Sequence, residues 1–372
     1  MSLKFYSKSE NTDNCPCEIF CHEEKAQWHC LPDPELFEGL SAEDAENWKA
    51  YLYTKPKKQG QRFNLRSHAV ALYDPFAARK DFAAGRRWCV NVYVGCAHSC
   101  RYCYIAAYIR KPFEPRPKKN FEKLLQKDFK EIEKLNLHPA PVHISNSTDP
   151  FQPIEKIHRH TLFLLREIQA NRKCFTTITM LTKNPAMLCK SEYLNIIQQL
   201  ENFQVEVTCP FYRDEIRKYF EPGAPTVESR LKAIEELREN NITVSLRIDP
   251  IFPREPLPEQ FFRKPLLEDY GAPESHSEED IEQLIQFAAK VRCKRIIVSP
   301  LKLVMGRFAG KDLRPDYLRL YSEANQGKAI KKGSSYRLSW ALYRHWVEKP
   351  RQVGNSLGIP VIYCKNNLLK TD

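Results

Sequence analysis

No stretch of this 372-residue chain is apolar over anything near the ~20 residues that a membrane-crossing helix requires. The opening residues Met1-Ser2-Leu3-Lys4-Phe5-Tyr6 lack the apolar core of a secretory signal, so a cytoplasmic location is expected. Without a secretory context, the thirteen cysteines are expected as reduced thiols and metal ligands rather than disulfides, in a protein sensitive to oxygen. The densest cysteine motif also lacks what marks most zinc loops, a C-x2-C unit answered soon after by a second Cys/His pair.

The length suits one large α/β domain with additions, or two domains, and a hydrophobic content of 42% supplies a substantial core. The net charge is +12, which points weakly to a polyanionic partner. Basic residues concentrate at Lys55, Lys57, Lys58, Arg62 and Arg66, and again at Arg110, Lys111, Arg116, Lys118 and Lys119. Pro56, Pro112, Pro115 and Pro117 interrupt both runs, so they read as loops. A solvated basic surface and a nucleic-acid footprint are both compatible with them.

The motif itself is Gly95-Cys96-Ala97-His98-Ser99-Cys100-Arg101-Tyr102-Cys103-Tyr104. Thiolates hold the irons of a [4Fe–4S] cluster. Cys96, Cys100 and Cys103 would serve three of those irons and leave the fourth open to a small molecule. The alternative is zinc with His98 as fourth ligand, but a residue between two of the cysteines strains a tetrahedral site.

From Trp88 the pattern alternates between strands and helices. Strands are predicted at Trp88–Val94, Val142–Ser145, Phe175–Thr182, Phe203–Thr208, Ile242–Ile248 and Arg295–Ser299. Helices are predicted at Phe121–Leu135, Thr161–Ala170, Glu192–Glu201, Thr226–Asn240 and Ser277–Lys290, with Thr226 and Ser277 as N-caps. Six β/α alternations with short links imply a parallel sheet, and ligands of such barrels gather at the C-terminal strand ends. Those ends carry Ser145-Asn146-Ser147-Thr148-Asp149, Thr182-Lys183-Asn184-Pro185, Thr208-Cys209-Pro210, Arg247-Ile248-Asp249-Pro250 and Ser299-Pro300-Leu301-Lys302. Phe220-Glu221-Pro222-Gly223-Ala224-Pro225 and Arg230 follow the fourth strand.

Together these pieces resemble the radical S-adenosylmethionine (SAM) superfamily, in its spore photoproduct lyase-like branch, over about residues 88–300. The Cys loop carries the superfamily likeness. S-T-D, T-K-N-P, F-E-P-G-A-P with a later R-L-K-A, and R-I-D-P-I-F-P carry the branch likeness. The resemblance implies an α/β fold, a partial (β/α)6 TIM-like barrel of the radical SAM type at 86–304, between a Cys-rich N-terminal extension (1–85) and a C-terminal extension (305–372). It further implies reductive cleavage of SAM by an electron from an external donor, and abstraction of a substrate hydrogen atom by the 5′-deoxyadenosyl radical. By the same resemblance Cys96, Cys100 and Cys103 ligate the cluster and Tyr102 packs near the SAM adenine. Asn146, Ser147, Lys183 and Thr208 fall where SAM is contacted, Asp149, Arg230 and Arg247 are further cofactor-binding candidates at the strand ends, and Tyr104 falls on a tyrosine that passes the radical on.

One position departs from the branch. The photoproduct lyase has a hydrogen-donating Cys just before its T-S-D segment, and Asn146 stands there in this chain. Thymine-dimer repair by that route is therefore not expected. Cys209 and Cys364 are candidate thiol donors, although each reads first as a buried structural Cys.

Outside the barrel, Cys15, Cys17, Cys21 and Cys30 could hold a second iron–sulfur cluster, a structural zinc, or nothing. Ser41 reads as the N-cap of a helix over Ala42–Tyr53. Near Leu338–Val347, Trp340, Tyr343 and Trp346 share a helical face that suits core packing, with base stacking as a lesser use. Nucleic acid leads as substrate class. A peptide or small metabolite modified with the help of an auxiliary cluster follows. A non-catalytic zinc-containing nucleic-acid-binding protein is the rival of another class.

Overall fold

A computed structural model of the chain describes residues 87–134, 140–252, 276–301 and 340–363, with the short pieces 41–43, 47, 62–64, 69–73, 303–304, 330–332 and 335–337. Cys15, Cys17, Cys21, Cys30 and Cys364 lie outside the described residues, as do the side chains of Trp340, Tyr343 and Trp346. Of the helix expected over Ala42–Tyr53, Ala42, Glu43 and Asn47 are described and helical. No helix among the described residues is long and apolar enough to cross a membrane.

In chain order the strands are β1 (Arg62–Asn64), β2 (Val70–Tyr73), β3 (Arg87–Val90), β4 (Tyr93–Val94), β5 (Arg116–Pro117), β6 (Ala140–Ile144), β7 (Phe175–Thr182), β8 (Phe203–Thr208), β9 (Thr243–Ile251), β10 (Ile296–Pro300), β11 (Leu303–Val304), β12 (Ile330–Lys332), β13 (Ser335–Arg337) and β14 (Val361–Tyr363). The helices are α1 (Phe121–Lys134), α2 (Glu155–His158), α3 (His160–Ala170), α4 (Ser191–Ile197), α5 (Asp214–Phe220), α6 (Val227–Glu239), α7 (Glu278–Lys290) and α8 (Trp340–Ser356). The main sheet runs β1-β2-β3-β6-β7-β8-β9-β10-β14. From β3 to β14 every neighbour is parallel, whereas β1, β2 and β3 pair antiparallel. β3, β6, β7, β8, β9 and β10 are the six strands of the expected partial barrel. Both extensions add to it, β1 and β2 at one edge and β14 at the other. The long strand expected over Trp88–Val94 is broken, because β4 leaves the main sheet and pairs with β5.

Local signals explain the elements that hold the barrel. Phe121, Leu125, Phe129 and Ile132 recur at helical spacing and are buried along α1. The Thr226 side chain accepts the Ser229 N–H at the start of α6. At α7, Ser277 and Asp280 form a reciprocal capping box. α1 also anchors the antiparallel edge, since Asp128 Oδ2 accepts the Ala69 and Val70 N–H groups at 2.7 and 2.8 Å.

Successive strand residues point to opposite faces. Val142, Ile144, Ile178, Met180, Val205, Val207, Val244, Leu246, Ile248, Ile296 and Val298 join the helices in one apolar core. The alternate set is polar: Cys89 pairs with His143, His143 with Thr179, Thr179 with Gln204, and Glu206 with Ser245. Parallel sheets covered by helices are usually apolar on both faces. Here the inner face, which forms the barrel lumen, is polar, and its side chains are buried.

Candidate active site

The thiol loop leaves the sheet after β3 and is closed at its base by the β4/β5 pair. Its shape comes from distant partners. Cys96 N–H donates to Pro112 O at 2.8 Å and Ala97 N–H to Gln152 Oε1 at 2.7 Å. Arg101 N–H donates to Phe220 O at 2.9 Å, and Gly223 N–H to His98 O at 3.0 Å. Thr148 Oγ1 donates to Gly95 O at 2.7 Å. Two glycines permit this closeness. Gly95 has φ +78°, and a Cβ there would sit 2.8 Å from Glu114 O. A Cβ on Gly223 would run into the Ala97 carbonyl oxygen. The S-T-D and F-E-P-G segments are thus structural partners of the Cys loop.

The three thiols are free, and each lies near enough to another for their charges to interact. Burial pushes Cys96 up to about 12, with the nearby Asp149 charge and Cys103 adding to the rise. Burial likewise raises Cys100, to which Glu221, Cys103 and Cys96 contribute, and raises Cys103. Thiols in this setting ionise only against a strong local positive charge, which iron supplies. Among the described residues no three His, Cys, Asp or Glu side chains converge on a single ion. A cubane cluster asks for something else, one thiolate on each of three irons, and the loop's donor set fits that demand. His98 is buried beside Asp149, its Nδ1 3.5 Å from Oδ2, and burial lowers its pKa.

Beside the loop stands a charge constellation. Arg230 Nη2 meets Glu221 Oε2 at 2.6 Å, both side chains fully buried. Lys183 Nζ lies 2.8 Å from Glu221 Oε1 and 3.1 Å from the Tyr102 hydroxyl, which also donates to Glu221 Oε1. Burial alone would push the Glu221 carboxyl up, but Arg230, Lys183 and the Tyr102 hydroxyl outweigh it and hold the group at about 2. Burial would likewise lower Lys183, yet the Glu221 charge raises it. Sequence reasoning quoted Glu221 within a motif and gave it no role.

The other candidates are distributed around this centre. Asp149 is a clamp: its carboxylate accepts the Thr182 hydroxyl at 3.0 Å and the Phe151 and Lys183 N–H groups at 2.9 and 2.6 Å. Arg230 directs its guanidinium to Glu221, Thr208 O and Pro225 O. Ser147 N–H donates to Asn91 Oδ1 at 3.0 Å. The exposed Tyr104 hydroxyl donates to the Asn146 carbonyl. Arg247 faces the lumen, paired with Glu206 at 2.5 Å and with Asp249, while Arg295 meets the other Glu206 oxygen at 3.4 Å. Cys209 is buried in the core with its thiol toward Phe211 O at 3.5 Å, and burial raises it to about 11. A thiol that no motif singled out faces the lumen instead: Cys89 Sγ accepts the Asn146 amide at 3.2 Å, and Asn146 is held in turn by His143. A strand residue with only apolar neighbours gave no signal for it.

The geometry is thus a parallel partial barrel with a polar inner face and a three-thiol loop at the C-terminal end of its strands. Residues 90–262, a little under half of the chain, match the Radical SAM superfamily model. The family implies a [4Fe–4S] cluster and SAM. Over 174 residues the chain is 25% identical to an uncharacterized protein of Methanocaldococcus jannaschii, covering 45% of this chain and 62% of that one. An uncharacterized protein of Mycobacterium tuberculosis is 22% identical over 174 residues, 45% of this chain and 50% of that one. The matched stretch thus spans half to about three fifths of these relatives. Among solved structures, a spore photoproduct lyase variant with bound AdoMet and dinucleoside spore photoproduct is similar with a TM-score of 0.49 at 13% identity, over 74% of this chain and 75% of that chain. Streptococcus suis SuiB bound to its precursor peptide SuiA is similar with a TM-score of 0.44 at 12% identity, over 74% and 48%.

Proposed function

We propose that the chain cleaves SAM reductively at a [4Fe–4S] cluster held by Cys96, Cys100 and Cys103, and removes a hydrogen atom from a polar substrate received in the lumen. The observation that carries this reading is the three-thiol loop, pinned between the strand-end segment 148–152 and the segment 220–223, with Lys183 and Tyr102 at its side. When bound, the cluster supplies the electron that splits SAM into methionine and a 5′-deoxyadenosyl radical. The protein's part is placement. Lys183 offers its ammonium to the SAM carboxylate, Tyr102 lines the side of the adenine, and Asn146 and Ser147 lie at the adjoining strand end. Thr208 supports them through its carbonyl bond to Arg230.

Nucleic acid is the substrate class we place first. The net charge of +12 and the basic residues 110–119, which lie within the excursion that carries the thiol loop, support it. A substrate group entering the lumen meets arginines already neutralised by Glu206 and Asp249.

Anaerobic purification tests the first step. The expected protein is brown, with about four irons and four sulfides for each cluster, and yields 5′-deoxyadenosine with SAM and a reductant. Cys100→Ala is expected to abolish that product. A colourless protein holding only zinc, or undiminished product from Cys100→Ala, sinks the assignment. Counting iron again after replacing Cys15, Cys17, Cys21 and Cys30 reports whether a second cluster exists. Salt-dependent binding of a labelled oligonucleotide, with an unrelated basic protein as control, tests the substrate class.

A further inference from the structure

We propose that Glu221 is a positioning residue for SAM cleavage, its buried carboxylate tying Tyr102 of the Cys loop and Lys183 of the SAM-contacting strand end into one rigid unit. The proposal deepens the reading above and rests on it.

The geometry is a division of labour between two oxygens. Oε2 is fixed by Arg230, whose own orientation is set by the carbonyls of Thr208 and Pro225 at 3.0 and 3.1 Å. Oε1 is left to receive both Lys183 Nζ and the Tyr102 hydroxyl. Tyr102 lies between Cys100 and Cys103, and Lys183 lies 81 residues away at the end of β7. The two groups also touch each other at 3.1 Å, and the Lys183 ammonium stands 5.6 Å from the Tyr102 ring centroid. A lysine ammonium has three donors. Two are directed to Glu221 and Tyr102, and the third is available to a ligand carboxylate. The lysine is therefore oriented before any ligand arrives, which lowers the cost of ordering it on binding. The ring is fixed at its face as well, edge-on to Phe252 at 5.3 Å and to Phe211 at 6.5 Å. Glu221 also sits between Phe220 and Gly223, whose backbones bond the Cys loop directly. One carboxylate thus sets the distance between the loop that holds the thiols and the cation that would meet SAM.

The test is a double-mutant cycle on the full-length, anaerobically reconstituted protein. SAM affinity is measured by calorimetry for wild type, Glu221→Gln, Lys183→Met and the double variant, and the spectrum of the reduced cluster is recorded by electron paramagnetic resonance with and without SAM. Glu221→Gln keeps the shape and one acceptor but loses the charge. It is expected to keep its iron, weaken SAM binding by about tenfold, the difference between a charge-assisted and a neutral hydrogen-bond network, and reduce the SAM-induced spectral change. In the double variant the loss is expected to be no greater than in Lys183→Met alone, because Glu221 acts through the lysine. A role confined to holding the segment 220–223 moves stability and leaves this coupling at zero. Losses that multiply, or a Glu221→Gln affinity within twofold of wild type, overturn the proposal. If Glu221→Gln does not fold, the cycle of Tyr102→Phe with Lys183→Met decides by the same criterion, since both groups depend on one oxygen. A wild type that holds no iron and binds no SAM overturns the cluster assignment and this inference together. A wild type that binds SAM beside an unaffected Glu221→Gln overturns this inference alone.

Discussion

Arg230 and Glu221 meet at 2.6 Å with neither side chain reaching solvent. Removing one member of such a pair leaves an uncompensated charge in the interior, which costs about 3–5 kcal/mol. Arg230→Met is expected to lower the unfolding free energy by that amount in chemical denaturation. Arg230→Lys should recover little, because a point charge cannot also serve the Thr208 and Pro225 carbonyls. Combining Arg230→Met with Glu221→Leu should restore a large part of the loss.

Gly223 has no room for a methyl group. Its Cβ would collide with the Ala97 carbonyl, and the obstacle is backbone rather than a flexible side chain. Gly223→Ala is expected to push the Cys loop away and cut the iron retained after gel filtration at least twofold. A variant that keeps full iron would show that the loop can move without losing its thiol placement.

Asp128 carries the antiparallel edge. Its Oδ2 accepts both the Ala69 and the Val70 N–H groups. Asp128→Ala should cost about 2–4 kcal/mol, two buried donors left without partners. Hydrogen exchange at these two amides should accelerate while the β7 and β8 amides stay protected.

Acid should weaken the fold before the carboxylates titrate. Burial lowers His143 to about 4, with Arg87 and Arg247 outweighed in part by Glu206 and Asn146. A histidine depressed in the folded state takes up its proton on unfolding, so its contribution is full above its ordinary pKa near 6.5 and is lost as pH falls toward 4. Stability should fall by up to about 2 kcal/mol from this group between pH 7 and pH 5. His98 and His160, both lowered chiefly by burial, act with the same sign. The Glu221 contribution runs out only at lower pH, between the ordinary carboxyl range and about 2. His143→Gln should flatten the slope between pH 5 and 7 in thermal melts.

Elements governed by neighbours in the chain were legible in the sequence. β7 and β8 end at the expected residues, and Thr226 and Ser277 cap their helices as their spacing predicts. Elements governed by distant partners were not. β1 and β2 are short strands whose position depends on pairing with β3 and on Asp128. The apolar run Ile359–Tyr363 carries no sign that it would dock beside β10. α4 stops at Ile197 rather than running to Glu201, while α8 continues through Pro350 to Ser356. At the site, the thiol motif is local and was visible. The tie between Tyr102 and Glu221 spans 119 residues and was not. Cys89 and Asn146 likewise come together only through the pairing of β3 with β6.

The carbonyls and amides that shape the Cys loop belong to residues synthesised well after it. Gln152 comes 55 positions later than Ala97, and Phe220 and Gly223 more than a hundred later than the thiols they surround. While the nascent chain is shorter than that, the three cysteines are an unshaped peptide with nothing to hold them apart. On the proposed reading, cluster insertion follows synthesis of β8 and α5, and a chain truncated before Phe220 is expected to retain no iron although it contains Cys96, Cys100 and Cys103.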